Sequence, residues 1–438
     1  MGLVCLPSTR HPSQCTSRGR MTSRDPYQQL IENKFQRYNA LADLAAGDTM
    51  LYKVATEQKG RQVRVDGKWV TDFASCNYLG LDLHEEVIAS IPEMLRKWGV
   101  HPSWSKAVMQ PEPYLEMEAR LAELIGVENV FVIPTATLIH HGLIPALTMK
   151  ESLVLVDRHA HNSVQTGCAI AKARGATVET FRHNDMEDLE ARLRQSGDEP
   201  SRLICVDGVY SPNGAFANVP ELVALARKYD AILYIDDAHG FGIIGEDPSP
   251  EHPYGRKGNG IVQHLGQTYD NVIYVGALSK AYSSMAAFMS CPARLKDYLK
   301  LHIDTYVYSG PVPTAAFAST LAALEVNRTQ GEQIRRKLFH LTKRMVDGLR
   351  ELGMAPDNAN YFPIVATPFG KDADAQEVAR ILMEEGIYVT LMLFPAIARN
   401  KGIIRATVTA ENTEEEVEQF LRAMKRVRDR DGGIRGAA

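Results

Sequence analysis

Asn271-Val-Ile-Tyr-Val-Gly-Ala-Leu-Ser-Lys-Ala-Tyr-Ser-Ser-Met-Ala-Ala-Phe288 sets an apolar, strand-like run ahead of one lysine, Lys280, and follows it with small residues. An ammonium at the end of a buried strand loses hydration, which lowers its pKa and frees the neutral amine that attacks a carbonyl. That is the property of a Schiff-base lysine. The competing reading is a solvated structural lysine just past a strand end, and this stretch alone leaves both open.

Upstream, similar runs recur at Asn129-Val-Phe-Val-Ile133, Leu153-Val-Leu-Val156, Leu203-Ile-Cys-Val206 and Ala231-Ile-Leu-Tyr-Ile235, with helical patterns between most of them. Apolar strands separated by helix-length spacers predict an α/β fold with a mostly parallel sheet covered by helices on both faces. The residues just after these strands are polar: Asp157 with His159 and His161, Asp207, Asp236 with His239, and Lys280. Ligands of open α/β sheets bind beyond the carboxyl ends of the strands, so these groups are expected to meet in one pocket. Each taken singly reads equally as a structural cap.

The 438 residues carry 45% hydrophobic and 23% charged side chains and a formal charge of −4, which gives no broad positive field for nucleic acid and favours small-molecule partners. Cys5, Cys15, Cys76, Cys168, Cys205 and Cys291 form no Cys-x-x-Cys pair, which argues against a zinc site or a disulfide framework and fits a reducing cytoplasm. No apolar run is long enough to span a bilayer. Residues 1–24 hold Arg10, Arg18, Arg20 and Arg24 and no acid, and are expected as a disordered extension, with Met21 a candidate start. Leu6 breaks the myristoylation pattern.

Between Pro26 and Gly47, Leu30, Phe35, Tyr38, Leu41 and Leu44 keep a helical rhythm, and the alternation around Asp66-Gly67 predicts a hairpin. Met117, Leu121 and Leu124 share a helical face that Gly126 ends. Beyond about residue 328 a long charged helix, 333–352, opens a second, smaller region that ends in a helix with a Thr413/Glu416 capping box. The expected division is an N-terminal helix and hairpin over 25–70 packing with the small domain, a large domain over 71–328, and a small α+β domain over 329–438.

An aldehyde cofactor on Lys280 needs a carboxylate at its ring nitrogen, a donor to its phenolic oxygen, a plane on its ring and a phosphate cradle. Asp236 suits the first, His239 the second and His161 the third, with Asp237 a neighbouring structural acid. Thr135-Ala136-Thr137, ahead of a helix-like stretch, suits phosphate through backbone N–H groups.

With these motifs in place the sequence resembles the α-oxoamine synthases, pyridoxal-phosphate enzymes of the fold type I, aminotransferase-like class, over roughly residues 60–425. The resemblance is carried by Asn77-Tyr-Leu-Gly-Leu81, 157–163 with His161, Asp207-Gly-Val-Tyr-Ser211, Asp236-Asp-Ala-His239, Leu278-Ser279-Lys280-Ala281, Gly386-Ile-Tyr-Val-Thr390, and Ile404-Arg-Ala-Thr407 with Asn412-Thr-Glu-Glu415. It implies pyridoxal 5'-phosphate on Lys280, with Asp207, Ser211 and Ser279 at the cofactor and Arg405 and Asn77 at the substrate carboxylate. It also implies a homodimer in which Ser309-Gly310 meets the neighbouring subunit's cofactor phosphate. The implied reaction joins an α-amino acid to an acyl-CoA or acyl-carrier-protein thioester. Transamination, or another bond-forming reaction of secondary metabolism, is the alternative, since Lys280 could also reprotonate the cofactor. A non-catalytic partner subunit is a third reading, against which Lys280, Asp236 and His161 stand together.

The chain departs from the family at several points. Ala277 stands where relatives carry a phosphate-binding Thr, Tyr114 and Asn412 replace histidines, and glycine-rich runs are lost after Lys280 and near Ser105-Lys106. Several of these positions border the substrate side, which bears on the acyl-CoA partner that the resemblance implies.

Overall fold

The computed structural model describes residues 27–30, 50–354, 356–394 and 397–430. Residues 27–30 are helical and belong to a separate unit, Met1–Thr49; the rest of the helix expected there, and the extension before it, lie outside the described residues. The second unit runs from Met50 to Ala438.

Within this second unit the chain enters through a meander, β1 (Ala55–Lys59), β2 (Gln62–Val65) and β3 (Lys68–Phe73). Asp66 and Gly67 turn β2 into β3 with φ of 51° and 80°, the paired left-handed conformations of a tight hairpin that the Asp-Gly dipeptide predicts. Helices α1 (Glu85–Trp98) and α2 (Glu112–Ile125) come next. Met117, Leu121 and Ile125 bury one face of α2, Leu124 is half-buried, and Gly126 ends the helix at φ 76°.

Strand and helix then alternate: β4 (Val130–Ile133), α3 (Ala136–Ala146), β5 (Leu153–Asp157), α4 (Asn162–Ala173), β6 (Thr177–Phe181), α5 (Met186–Gln195), β7 (Arg202–Asp207), α6 (Val219–Lys228), β8 (Ile232–Asp236), α7 (Ile261–His264), β9 (Val272–Ala277) and β10 (Ala287–Ser290). The seven strands form one sheet in the order β4-β10-β9-β8-β7-β5-β6, parallel except for β10, which runs antiparallel to both neighbours. Strands β4, β5 and β9 are buried along their whole length, as a sheet covered by helices requires. Each fully buried Val, Leu or Ile contributes roughly 1.5–3 kcal/mol.

Two strands of this sheet were not singled out in the sequence. β6 is an edge strand, Thr-Val-Glu-Thr-Phe, with largely exposed side chains, and β10, Ala287-Phe-Met-Ser290, is the short, wholly buried return of the turn after Lys280. Ala277 pairs in register with Ala287 and lies in the core. Opposite Phe288 stands Gly276, where a Cβ would run into the Phe288 ring, so the glycine lets β10 lie beside β9.

After α8 (Ala293–His302) and α9 (Asp304–Tyr308), the helix α10 runs unbroken from Thr314 to Glu351. It starts well before the charged segment read as its beginning, because its first turns are apolar and buried: Phe317, Ala318 and Ala323. The chain closes with β11 (Ile364–Gly370), α11 (Asp372–Glu384), β12 (Ile387–Met392), β13 (Gly402–Thr407) and α12 (Glu414–Asp429). Thr413 and Glu416 cap α12 reciprocally. The second sheet, β1-β2-β3-β12-β13-β11, joins the entering meander to the last strands through the parallel pair β3–β12. It carries Arg405 on β13.

Candidate active site

The carboxyl ends of β5, β7, β8 and β9 set the site. Asp207 and Asp236 stand opposite one another in the β7–β8 register, and Lys280 follows just beyond β9. A cleft of about 250 Å³ opens there, lined by Thr135, Ala136, Thr137, His140, His161, Ser163, Asp207, Val209, Asp236, Ala238, His239, Ser279 and Lys280.

Two buried aspartates side by side do not share charge equally. Burial alone would raise Asp236, but the His140 imidazole, the Lys280 ammonium and the Ala238 N–H outweigh it and hold this carboxyl well below its ordinary range. Its Oδ2 lies 3.0 Å from His140 Nε2 and its Oδ1 accepts from Ala238 N at 3.1 Å. Asp207 is pushed well above the usual carboxylate value by burial and then by the Asp236 charge. Its Oδ1 accepts from the His161 backbone N–H at 2.9 Å, pinning the start of α4 to the strand end. Asp236 is thus the ionised carboxylate of the cleft. Asp237 points away, accepting from Ile261 N at 2.8 Å and Tyr274 Oη at 2.7 Å, a structural acid pushed up to about 7 by burial.

The first turn of α3 forms the opposite wall. Thr135 is its N-cap, with Oγ1 accepting from Leu138 N at 3.2 Å. No acid sits in that turn, and Ala136 and Thr137 line the cleft, so the helix presents unpaired N–H groups and the positive end of its dipole.

Three histidines surround this floor. His140, wholly buried on α3, joins Asp236 to Tyr234 through Nδ1, 2.7 Å from the Tyr234 hydroxyl. His161 is the N-cap of α4; its Nδ1 accepts from Ser163 N at 3.3 Å and lies 2.7 Å from Ser163 Oγ. His239 has its Nδ1 2.8 Å from the Tyr78 hydroxyl. Burial, followed by the charges of Lys280 and Arg405, pushes His239 well below its ordinary value, and burial with Lys280 lowers His161 although Asp236 opposes this.

Other residues named from the sequence are not among the cleft-lining residues of this chain. Arg405 donates from Nη1 to the Ser211 carbonyl at 3.0 Å and keeps a buried Nε without a partner. Its charge is felt at both Tyr78 and His239, which places it on the β13 side of the site. Asn77 donates to Asp82 at 3.2 Å, a carboxylate already paired with Arg61 at 2.5 Å. Ser309 caps its own helix by donating to the Thr305 carbonyl, and Gly310 is exposed beside it. Tyr114 accepts from Val312 N at 2.5 Å and packs on Phe317.

The sequence reading missed His140, Tyr234, Ser163 and Tyr78. His140 was detectable in principle: it stands one helical turn after Thr137, on the face that the phosphate-cradle reading already pointed at the cleft.

A strand-end lysine facing an ionised aspartate across the carboxyl edge of a mostly parallel sheet defines a fold type I, aminotransferase-like α/β protein. The model of the family Aminotransferase class I and II matches residues 68–424, and the chain belongs to that family, in its α-oxoamine synthase branch. It is 31% identical over 376 residues to an 8-amino-7-oxononanoate synthase of Thermoanaerobacter pseudethanolicus, covering 85% of this chain and 91% of that relative. It is 28% identical over 399 residues to a serine palmitoyltransferase of Sphingobacterium spiritivorum, covering 91% and 96%. A high-resolution structure of SPT with PLP as an internal aldimine superposes with a TM-score of 0.83 at 25% identity, covering 92% of this chain and 98% of that one.

Proposed function

We propose that the chain is a pyridoxal-phosphate-dependent transferase that joins an α-amino acid to an acyl thioester, of coenzyme A or an acyl carrier protein, with loss of the amino acid's carboxylate. The observation that carries the reading is the pairing of Lys280 with an ionised, His140-braced Asp236 beside an acid-free helix N-terminus. Relatives named as an oxononanoate synthase and a palmitoyltransferase support the acyl-transfer class.

The donor set fits the cofactor. The N–H groups of Ala136 and Thr137 would hold the phosphate, and Ala277, a methyl side chain buried in the core, adds no hydroxyl to them. Pyridoxal phosphate, when bound, supplies a ring that withdraws electrons from the substrate's α carbon. Asp236 would hold a proton at the ring nitrogen, His239 would donate to the ring oxygen, and His161 would stack on the ring. Lys280 anchors the cofactor and is the amine placed to move a proton at the α carbon. Arg405, with a free buried Nε, orients the substrate carboxylate, for which a planar guanidinium is suited. Ser279 borders the phosphate side. Asp207 and Ser211 support these groups through their hydrogen bonds to His161 and Arg405, and Asn77, next to the Tyr78 that meets His239, would lie near the substrate carboxylate.

We assign a large cofactor-binding domain to 71–328 and a small domain to 329–438, with α10 passing from one into the other, and a homodimer as the working assembly. Tyr308 is 85% and Leu301 77% exposed beside Ser309-Gly310. Ser105 Oγ donates to the Val307 carbonyl at 2.5 Å, which ties α9 to the segment carrying Val100 and Val108, also exposed. Such an apolar face suits a second copy. Among the described residues no helix is long and apolar enough to cross a membrane.

The reaction is tested by incubating the cofactor-loaded protein with panels of amino acids and acyl thioesters and weighing the products. An α-amino ketone lacking the carboxylate carbon, formed with free thiol, is the expected result. A keto acid with conversion of the cofactor to its amine form would establish transamination instead.

A further inference from the structure

The three histidines of the cleft share one arrangement. Each sets Nδ1 on a group that donates or is able to donate: Tyr234 Oη on His140 at 2.7 Å, Ser163 N and Oγ on His161 at 3.3 and 2.7 Å, and Tyr78 Oη on His239 at 2.8 Å. A neutral imidazole has one N–H and one lone pair, so a donor on Nδ1 forces the proton onto Nε2.

For His161 the assignment follows from chemistry alone. A backbone N–H only donates, so Ser163 N fixes His161 Nδ1 as an acceptor. At His140 an ionised carboxylate only accepts, so Asp236 Oδ2, 3.0 Å from Nε2, draws a proton there, and in the neutral ring Nδ1 then receives the Tyr234 hydroxyl. His239 is decided by its surroundings. It is buried beside two cations that keep it neutral, and the buried Tyr78 hydroxyl, which also meets Cys76, lies 2.8 Å from Nδ1 and is assigned as its donor.

We propose that Tyr78, Ser163 and Tyr234 are positioning residues that lock His239, His161 and His140 as Nε2–H tautomers, so that the imidazoles offer the cleft N–H donors and no lone pair. One donor is spent on Asp236. The other two, with Arg405 behind them, suit a ligand rich in oxygen acceptors, a phenolic oxygen on the cofactor side and a carboxylate or thioester carbonyl on the substrate side. None of the three is then a ground-state base, and proton abstraction falls to Lys280. The use made of the donors rests on the proposed cofactor reading; the tautomers themselves do not.

The test is ¹⁵N spectroscopy of the deuterated holoenzyme labelled at histidine, with resonances assigned by single His→Gln replacements. At neutral pH each of the three should show a protonated-type Nε2 and a lone-pair-type Nδ1. A neutral Nδ1–H form, or a doubly protonated ring, at any of them overturns the proposal for that residue. Tyr78→Phe should release His239 into a mixture of both tautomers, whereas Ser163→Ala should leave His161 as Nε2–H because the backbone donor remains. An unchanged His239 in the Tyr78 variant refutes the role given to Tyr78. Repeating the wild-type spectrum with the cofactor stripped separates the two questions: unchanged tautomers in a protein that fails to take up pyridoxal phosphate would refute the cofactor reading and leave the lock standing.

Discussion

Replacing Asp236 with Asn removes a charge and almost no volume. Only one of the two contacts that hold the side chain survives: the amide oxygen still accepts from Ala238 N, now 3.1 Å away, while the NH2 group faces His140 Nε2, now 3.0 Å away, and the imidazole must yield its proton there or turn. The fold should persist. What is lost is the full negative charge that balances Lys280 and that would keep a proton on the cofactor's ring nitrogen. A hydrogen bond to a charged group contributes about 1.5–3 kcal/mol, and at 1.4 kcal/mol per decade the loss corresponds to about a ten- to 150-fold fall in turnover. The charge that develops during reaction can only enlarge this. Asp207, raised in part by the Asp236 charge, should fall toward the ordinary carboxylate range in the variant. The assay is steady-state turnover at saturating cofactor, with cofactor stoichiometry measured on the same sample. Turnover within twofold of wild type at full occupancy would refute the role of Asp236.

Arg405→Lys keeps the charge but loses the planar fork, and should raise KM for the amino acid about tenfold with a smaller change in kcat, which initial-rate kinetics will show. Thr135→Ala removes the hydroxyl that accepts from Leu138 N, and should cost about 1 kcal/mol in a urea melt and weaken cofactor retention together. His239 is held neutral with its folded pKa depressed, so it adds stability that is complete above the unfolded value near 6.5 and is lost as pH falls below it. The slope is about 1.4 kcal/mol per pH unit, and His239→Gln should flatten the urea midpoint over that range. Light scattering should find a dimer, and a stable monomer with full cofactor occupancy would contradict the assembly.

The legible part of this fold was the part written in burial. Strands β4, β5, β7, β8 and β9 read as apolar runs because helices cover them, and Asp207, Asp236 and Lys280 were conspicuous as polar groups ending such runs. β6 and β10 escaped for different reasons: an edge strand buries little, and β10, only four residues long, follows so closely on the turn after Lys280 that it reads as part of it. The start of α10 was hidden because its buried first turns resemble the preceding core rather than the charged turns after them. At the site, groups that act in the cleft stood at strand ends and helix starts. Tyr78, Tyr234 and His140 act through residues far away in the chain, a pairing of three-dimensional neighbours that no spacing announces, whereas Ser163 meets His161 two residues before it. Arg405 was named from resemblance, and it comes to the site from a different sheet, across a distance in the chain that periodicity does not bridge.

The central claim is that Lys280 carries the cofactor. Borohydride reduction of the purified protein, followed by digestion and mass mapping, tests it in one step: the pyridoxyl mass should lie on the peptide containing Ser279-Lys280-Ala281, at Lys280, in stoichiometric amount. Recovery of that mass on another lysine, or an unmodified Lys280 in a protein that contains pyridoxal phosphate, would contradict it.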